Sequence, residues 1–156
     1  MSERPTLDLG EVEDYPVSEV MSTPLITVTP DKNVKEAASL MAENGIGSLV
    51  VVDEKGSLIG IVTVTDIIRE VVAKGLLPEK VRVGDIMTRN IYYVMADDTI
   101  RRAAEIMAEK GIGHLPVIDP NTYKVVGMVS KTDILKIAPG LIGALILSRL
   151  KRRIRK

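Results

Sequence analysis

The sequence predicts an α+β fold made of two copies of one β-α-β-β-α repeat. Displacing the chain by 66 residues aligns residues 16–53 with residues 82–119, and 15 of these 38 positions carry the same residue type. In each copy, a helical pattern of apolar residues precedes two β-branched runs, and the second run leads into another helical pattern. A single copy of about 60 residues would have only a marginal core by itself. We therefore expect the halves to pack through their sheets with pseudo-two-fold symmetry, leaving two equivalent clefts.

The first copy begins with an extended segment at residues 24–28. Asn33, with Glu36 three residues later, is the predicted N-cap of the first helix. Gly45 supplies the left-handed residue that ends this helix. The remaining elements are predicted as strands at residues 48–53 and 58–64 and a helix from about Asp66 to Lys74, which Gly75 ends.

The second copy repeats this order. Thr99 is the predicted helix cap and Gly111 the predicted helix end. A second helix is expected to start near Asp133, and Pro139 with Gly140 interrupts its pattern. The predicted strands are residues 114–119 and 124–130.

The two ends of the chain carry opposite charge. Residues 1–15 hold five acids and one arginine, net −4, and are expected to form a loosely held arm. Residues 139–156 hold six cations and no acid, with apolar residues at helical spacing. This tail either packs on the protein or a second copy, or contacts a membrane or nucleic acid. The predicted organisation is an arm at 1–15, repeats at 16–78 and 79–138, and a tail at 139–156.

Composition excludes several kinds of site. Lysine and arginine total 21, as do aspartate and glutamate, so no overall field for nucleic acid is expected. The chain has no cysteine and a single histidine, His114, which excludes disulfides and cysteine-based catalysis. No signal-peptide pattern opens the sequence, and the longest apolar run is shorter than the roughly 20 residues of a membrane span. We predict a cytoplasmic protein that is not an enzyme and has no catalytic metal.

A hydroxyl-x-x-acid sequence ends the second strand of both copies. Thr63 and Asp66 follow the run that starts at Gly60, and Ser130 and Asp133 follow the run at Gly127. A carboxylate there can accept hydrogen bonds from a ribose diol, and free backbone N–H groups can bind phosphate. The same residues also form a capping box, which stabilises a helix start and binds nothing. Both interpretations are open from sequence.

These features together resemble a tandem pair of cystathionine-β-synthase-type (CBS) domains, also called a Bateman module. The resemblance rests on Val20-Met21-Ser22 and Ile86-Met87-Thr88, on both Ala-Ala-x-x-Met helices, on both Gly-Ile-Gly turns and on the duplicated hydroxyl-x-x-Asp endings. It implies a duplicated CBS-domain fold. It also implies a regulatory module that binds AMP, ADP, ATP or S-adenosylmethionine in the inter-domain cleft.

The resemblance implies two ligand sites with residues from both copies. One site combines Ser130 and Asp133 with Leu25, Ile26, Thr27 and Gly47. The other combines Thr63 and Asp66 with Ile91, Tyr92, Tyr93, Gly113 and His114. The second site differs in its base-binding segment, because Tyr93 replaces the hydroxyl that Thr27 provides. Tyr93 either fills that site or stacks on a base.

Three further side chains have two interpretations each. His114 either meets a phosphate or is a surface residue before a strand. Arg69 and Lys136, each three residues after its aspartate, either contact phosphate or lie on a solvated helix face. We expect a homodimer that signals to an unknown regulated protein. The alternative is a dimeric scaffold without ligand, docked to nucleic acid or an anionic membrane by its tail.

Overall fold

The computed structural model describes residues 12–23 and 25–154. The chain forms two compact units, and the boundaries of these units do not coincide with those of the sequence repeats. The repeat-1 unit is Pro24–Ile91, and the repeat-2 unit is Met1–Thr23 together with Tyr92–Lys156. Residues 12–23, which include the start of the first sequence repeat, thus belong to the unit built around the second repeat.

The repeat-1 unit contains a three-stranded sheet in the order β1-β2-β3. β1 pairs in parallel with β2, and β2 pairs antiparallel with β3. A π-helical turn, Ile68–Val72, continues α2, and a 3-10 turn, Pro78–Lys80, precedes α3. The elements are β1 (Thr27–Val28), α1 (Val34–Asn44), β2 (Ser48–Val52), β3 (Leu58–Thr63), α2 (Val64–Ile67) and α3 (Val83–Ile86).

The repeat-2 unit has the same topology, with the sheet order β4-β5-β6. β4 is parallel to β5, and β5 is antiparallel to β6. Two 3-10 turns, Val12–Asp14 and Val17–Glu19, come from the part of the chain before Pro24. The elements are β4 (Val94–Met95), α4 (Ile100–Lys110), β5 (His114–Ile118), β6 (Val125–Ser130), α5 (Lys131–Ile137) and α6 (Pro139–Ile154). The α+β prediction with a duplicated repeat is confirmed.

The predicted ends of the two long helices are also confirmed. The side-chain Oδ1 of Asn33 accepts the N–H of Glu36 at 2.9 Å, and the hydroxyl of Thr99 accepts the N–H of Arg102 at 3.1 Å. Gly45 and Gly111 end α1 and α4 with φ angles of 62° and 67°. These are left-handed conformations that favour glycine.

The helices that follow β3 and β6 begin earlier than predicted. α2 starts at Val64 and α5 at Lys131, two residues before the predicted starts at Asp66 and Asp133. The reason is that Thr63 and Ser130 are the N-caps, so helical geometry begins at the residue after each of them. The two aspartates therefore lie within the first turn.

A methionine covers a glycine in each sheet. Met87 packs over Gly60, where a Cβ would lie 2.5 Å from its Sδ, and Met21 packs over Gly127, where the distance would be 2.6 Å. Neighbouring residues add isolated β-bridges, Ile61 with Thr88 and Ser22 with Met128. In each unit the Met-Ser/Thr segment therefore packs on the glycine of the antiparallel strand. This contact holds the segment against the sheet of its own unit.

Part of the acidic arm, residues 12–15, contacts the repeat-2 unit. Val12 is buried in the core of the repeat-2 unit, and the Arg101 guanidinium on α4 pairs with Glu13 and, at 3.7 Å, with Asp14. The carbonyl oxygen of Tyr15 accepts the N–H of Ile100 at 2.9 Å. The prediction of a loosely held arm is wrong for residues 12–15, and residues 1–11 lie outside the described part of the chain.

The basic tail forms the predicted helix, α6. Leu141 is buried and Leu145 half-buried against the core of the repeat-2 unit. Ile146, Leu147 and Leu150 are about half exposed. Only part of the apolar surface of this helix is therefore covered by its own unit.

Candidate functional site

In each unit, the predicted site residues gather at one end of the sheet. Ser48, the first residue of β2, pairs with Thr63, the last of β3, and His114 pairs with Ser130 in the same way. The parallel strand β1 starts at this same end of the sheet. Thr27 pairs with Val50, so the residues before Thr27 lie beside the start of β2. In the repeat-2 unit Val94 pairs with Val117, so the tyrosines before it have the equivalent position. We call residues 63–66 the repeat-1 junction and residues 130–133 the repeat-2 junction.

The repeat-1 junction is a closed set of hydrogen bonds. The Thr63 hydroxyl accepts the N–H of Asp66 at 3.1 Å, and Oδ2 of Asp66 accepts the N–H of Thr63 at 2.9 Å. The Arg69 guanidinium donates to Oδ1 of Asp66 at 2.9 Å. Asp66 is only 4% exposed. Both carboxylate oxygens are thus engaged by the protein itself.

The repeat-2 junction has the same capping box with one oxygen left over. Oγ of Ser130 accepts the N–H of Asp133 at 3.1 Å, and Oδ2 of Asp133 accepts the N–H of Ser130 at 2.8 Å. Asp133 is half-buried. Within residues 12–23 and 25–154, its Oδ1 has no hydrogen-bond donor and Lys136 makes no ion pair. This carboxylate oxygen is therefore available to an incoming donor.

The glycine turns lie directly against the junctions. The Gly47 carbonyl accepts the N–H of Val64 at 3.0 Å, and the Gly113 carbonyl accepts the N–H of Lys131 at 2.8 Å. One free N–H at each helix start is consequently used by the fold. Each unit brings its own glycine turn to its own junction.

His114 lies beside the repeat-2 junction, half-buried at the start of β5. Burial lowers its pKa below the ordinary value of 6.5; the Asp133 carboxylate opposes this and the Lys131 ammonium adds to it. The imidazole is consequently neutral at pH 7. A neutral ring offers one donor and one acceptor nitrogen rather than a positive charge.

The extended segments before β1 and β4 differ in character. Leu25, Ile26 and Ile91 are half-buried, and Thr27 is exposed. Tyr92 and Tyr93 are 46% and 50% exposed, and the Lys110 ammonium lies 5.2 Å from the centre of the Tyr92 ring. The predicted groupings that combine residues of both units stay predictions.

Sequence reasoning missed the Arg69 contact with Asp66. The spacing of three residues on one helix face is the signal that predicts such a pair. Lys136 has the same spacing from Asp133 without the contact. The spacing in the sequence allows such an ion pair, but the folded geometry determines whether it forms.

Comparison with known proteins decides the family. The family model for the CBS domain matches residues 17–73 and 83–140. The chain belongs to the CBS-domain family. The crystal structure of the CBS-domain pair of protein MJ0100, in complex with 5′-methylthioadenosine and S-adenosylmethionine, superposes with a TM-score of 0.72 at 33% identity. This match covers 80% of the chain and 96% of that structure. The chain is thus a tandem CBS protein, and CBS-domain proteins are generally regulatory rather than catalytic.

Relatives of this CBS protein include longer chains. An uncharacterised protein of Methanopyrus kandleri is 39% identical over 129 residues, which are 83% of this chain and 65% of that one. The L-aspartate semialdehyde sulfurtransferase of Methanocaldococcus jannaschii is 34% identical over 139 residues, but the match spans only 26% of that enzyme. The similarity to the named enzyme is therefore confined to a minor part of its length.

Proposed function

We propose that this CBS-domain protein is a regulatory module that binds an adenosine-containing ligand at its repeat-2 junction. The ligand is an adenine nucleotide (AMP, ADP or ATP) or an adenosyl derivative such as S-adenosylmethionine. The observation that carries this proposal is the free Oδ1 of the half-buried Asp133 side chain. The other carboxylate oxygen, Oδ2, accepts the Ser130 N–H at 2.8 Å. The adenosyl ligands of the MJ0100 pair support the ligand class.

The chemistry of a ribose fits this oxygen. A carboxylate accepts hydrogen bonds from hydroxyl groups, and such charge-assisted bonds are stronger than neutral ones. Oδ2 fixes the carboxylate through the Ser130 N–H, so the free oxygen is held in one orientation before a ligand arrives. We assign no catalytic cofactor, because the ligand acts as a regulator.

The two junctions are expected to bind unequally. In the repeat-1 junction the Arg69 guanidinium already occupies Oδ1 of Asp66. A ribose would have to displace this partly buried, charge-assisted bond before it could bind. We therefore propose that the repeat-2 junction binds first and that Arg69 suppresses the repeat-1 junction.

Isothermal titration with AMP, ATP and S-adenosylmethionine tests the assignment. Asp133→Asn keeps an oxygen for the Ser130 N–H and removes the charge, so binding should weaken roughly 10- to 100-fold. Asp66→Asn is the matched control and should change affinity less than about threefold. Absence of binding by all three ligands, with the wild-type fold intact by circular dichroism, would refute the proposed function.

Arg69→Ala tests the inequality of the junctions. It frees Oδ1 of Asp66, so the number of ligands bound per chain should rise from one to two under the same titration. Lys136→Ala is the matched control, since Lys136 has the same spacing without the contact. An unchanged stoichiometry in Arg69→Ala would contradict the proposal that Arg69 suppresses the repeat-1 junction.

We further propose that the module is a cytoplasmic homodimer that signals to a partner protein by a change of conformation. Val64, Ile68 and Val72 lie along α2 and its π-helical continuation at a spacing of four residues, and Leu76 follows the left-handed Gly75. We call these four residues, which are 43% to 66% exposed, the apolar stripe. Beside it, Glu70 pairs with Arg69 at 3.2 Å and with Lys74. The hydrogen bond from the Lys74 ammonium, followed by that from the Arg69 guanidinium, lowers the pKa of Glu70. Because the charges neutralise one another locally, two copies of the stripe can meet without repulsion.

A further inference from the structure

The C-terminal helix α6 carries apolar residues on two different faces. Leu141 and Leu145 contact the core of the repeat-2 unit. Ile146, Leu147 and Leu150 are 48%, 51% and 50% exposed. At about 100° per residue, Leu150 lies about 180° around the helix from Leu141. The exposed residues are therefore not the edge of the packed face but a separate surface, which we call the outer face of α6.

Cations border the outer face on both sides. At the same helical spacing, Ile146, Leu150 and Leu147 span an arc of about 100°, with Arg153 just before it and Lys151 just after it. Both cations are exposed. Residues 139–156 contain six cations and no acid. The outer face thus combines apolar side chains with positive charge along both margins.

We propose that the outer face of α6 binds the surface of an anionic lipid bilayer. Apolar side chains can enter the boundary between headgroups and acyl chains, and bordering lysine and arginine side chains extend to the lipid phosphates. No helix among the described residues is long and apolar enough to cross a membrane, so α6 lies in the plane of the surface. The attachment is peripheral and depends on ionic strength.

The charge of the helix argues against the other occupants. A second α6 would bring like charges together, because this segment has no acid to oppose the cations. Nucleic acid attracts the cations through its phosphates but gives Ile146, Leu147 and Leu150 no apolar partner. An anionic bilayer satisfies both properties of the face at once.

Sedimentation of the full-length protein with vesicles tests this proposal. The vesicles contain phosphatidylcholine alone or mixed with phosphatidylglycerol. Wild type should bind the mixed vesicles at low salt and bind neutral vesicles at least about tenfold more weakly. Lys151→Glu with Arg153→Glu should weaken binding by at least about 25-fold, about fivefold for each cation removed. Ile146→Ser with Leu150→Ser should weaken it at least about tenfold.

Matched controls separate the outer face from the rest of the surface. Lys55→Glu with Lys124→Glu makes the same change of charge at exposed sites outside α6, and Tyr123→Ser removes an exposed apolar side chain elsewhere. Both controls should bind as wild type, and circular dichroism should show an intact fold throughout. The proposal is overturned if wild type binds no vesicles. It is equally overturned if the serine variant binds like wild type, or if a duplex RNA is bound without dependence on Ile146 and Leu150.

Discussion

At the scale of single residues, Asp66 and Asp133 show how one neighbouring side chain changes an otherwise repeated site. Both close a capping box with the hydroxyl three residues earlier. Arg69 takes the remaining oxygen of Asp66, whereas Lys136 leaves that of Asp133 unoccupied within the described part of the chain. The capping box and the ligand contact are consequently compatible at Asp133, since a carboxylate has two oxygens and the cap uses one.

His114 gives the protein a pH dependence that can be assigned to one group. Its folded-state pKa is lowered by burial, so the unfolded chain binds a proton more readily. The stability from this group is fully present above pH about 6.5 and is lost as pH falls through the unfolded pKa toward the folded one. As the only histidine, it also gives a single imidazole signal in a proton NMR titration.

The expected outcome is a urea unfolding midpoint that decreases between pH about 7.5 and pH about 5.5 in wild type. His114→Gln should flatten this decrease while leaving the effect of carboxylates at lower pH unchanged. An NMR pKa at or above 6.5 in the folded protein would contradict the lowered pKa, as would an equal slope in both proteins.

At the scale of elements, the sequence predicts those helix ends that depend on interactions between residues close together in the chain. The caps at Asn33 and Thr99 and the left-handed glycines 45 and 111 depend on residues within one turn, and all were predicted. The cover of Met87 over Gly60 joins residues 27 positions apart, and no local pattern shows it. The starts of α2 and α5 were predicted two residues late, at the aspartates. The capping boxes were recognised, but an N-cap at Thr63 or Ser130 puts the helix start at the very next residue, Val64 or Lys131. Of the candidate site, the capping residues were found and the Arg69 contact was not.

The contact of Met87 with Gly60 predicts a cost for any side chain at that position. In Gly60→Ala the new Cβ would lie 2.5 Å from Sδ of Met87 and 3.2 Å from the Thr88 carbonyl oxygen. Overpacking of this kind should lower the free energy of unfolding by about 1 to 3 kcal/mol, measured by urea denaturation. Gly143→Ala is the control, because it meets open space on α6 and should not destabilise.

A double-mutant cycle with Met87→Ala separates this contact from a general effect of the substitution. If the clash with Sδ dominates, Gly60→Ala should cost less in the Met87→Ala background by at least about 0.5 kcal/mol. Additive effects would show that the Thr88 carbonyl, rather than the methionine, limits the space.

At the scale of the whole molecule, regulation requires that ligand binding change something a partner can detect. The apolar stripe of Val64, Ile68, Val72 and Leu76 starts at the residue after Thr63, so α2 and its π-helical continuation join a junction to the proposed dimer surface. A ligand shifts an equilibrium only by its difference in affinity for the two states. The proposed association of two copies would therefore be biased by a ligand at the repeat-1 junction, once the bond between Arg69 and Asp66 is displaced.

Ile68→Glu with Val72→Glu should convert the proposed dimer into a monomer, because it places charges in the centre of an apolar contact. Light scattering coupled to size exclusion measures the mass, and Tyr123→Glu, exposed outside the stripe, is the control that should remain dimeric. Linkage requires that any factor by which ligand strengthens dimerisation equal the factor by which dimerisation strengthens ligand binding. Equal ligand affinity in the monomeric variant and in wild type would therefore exclude the dimer surface as the route of signalling, even if the mass halves as expected.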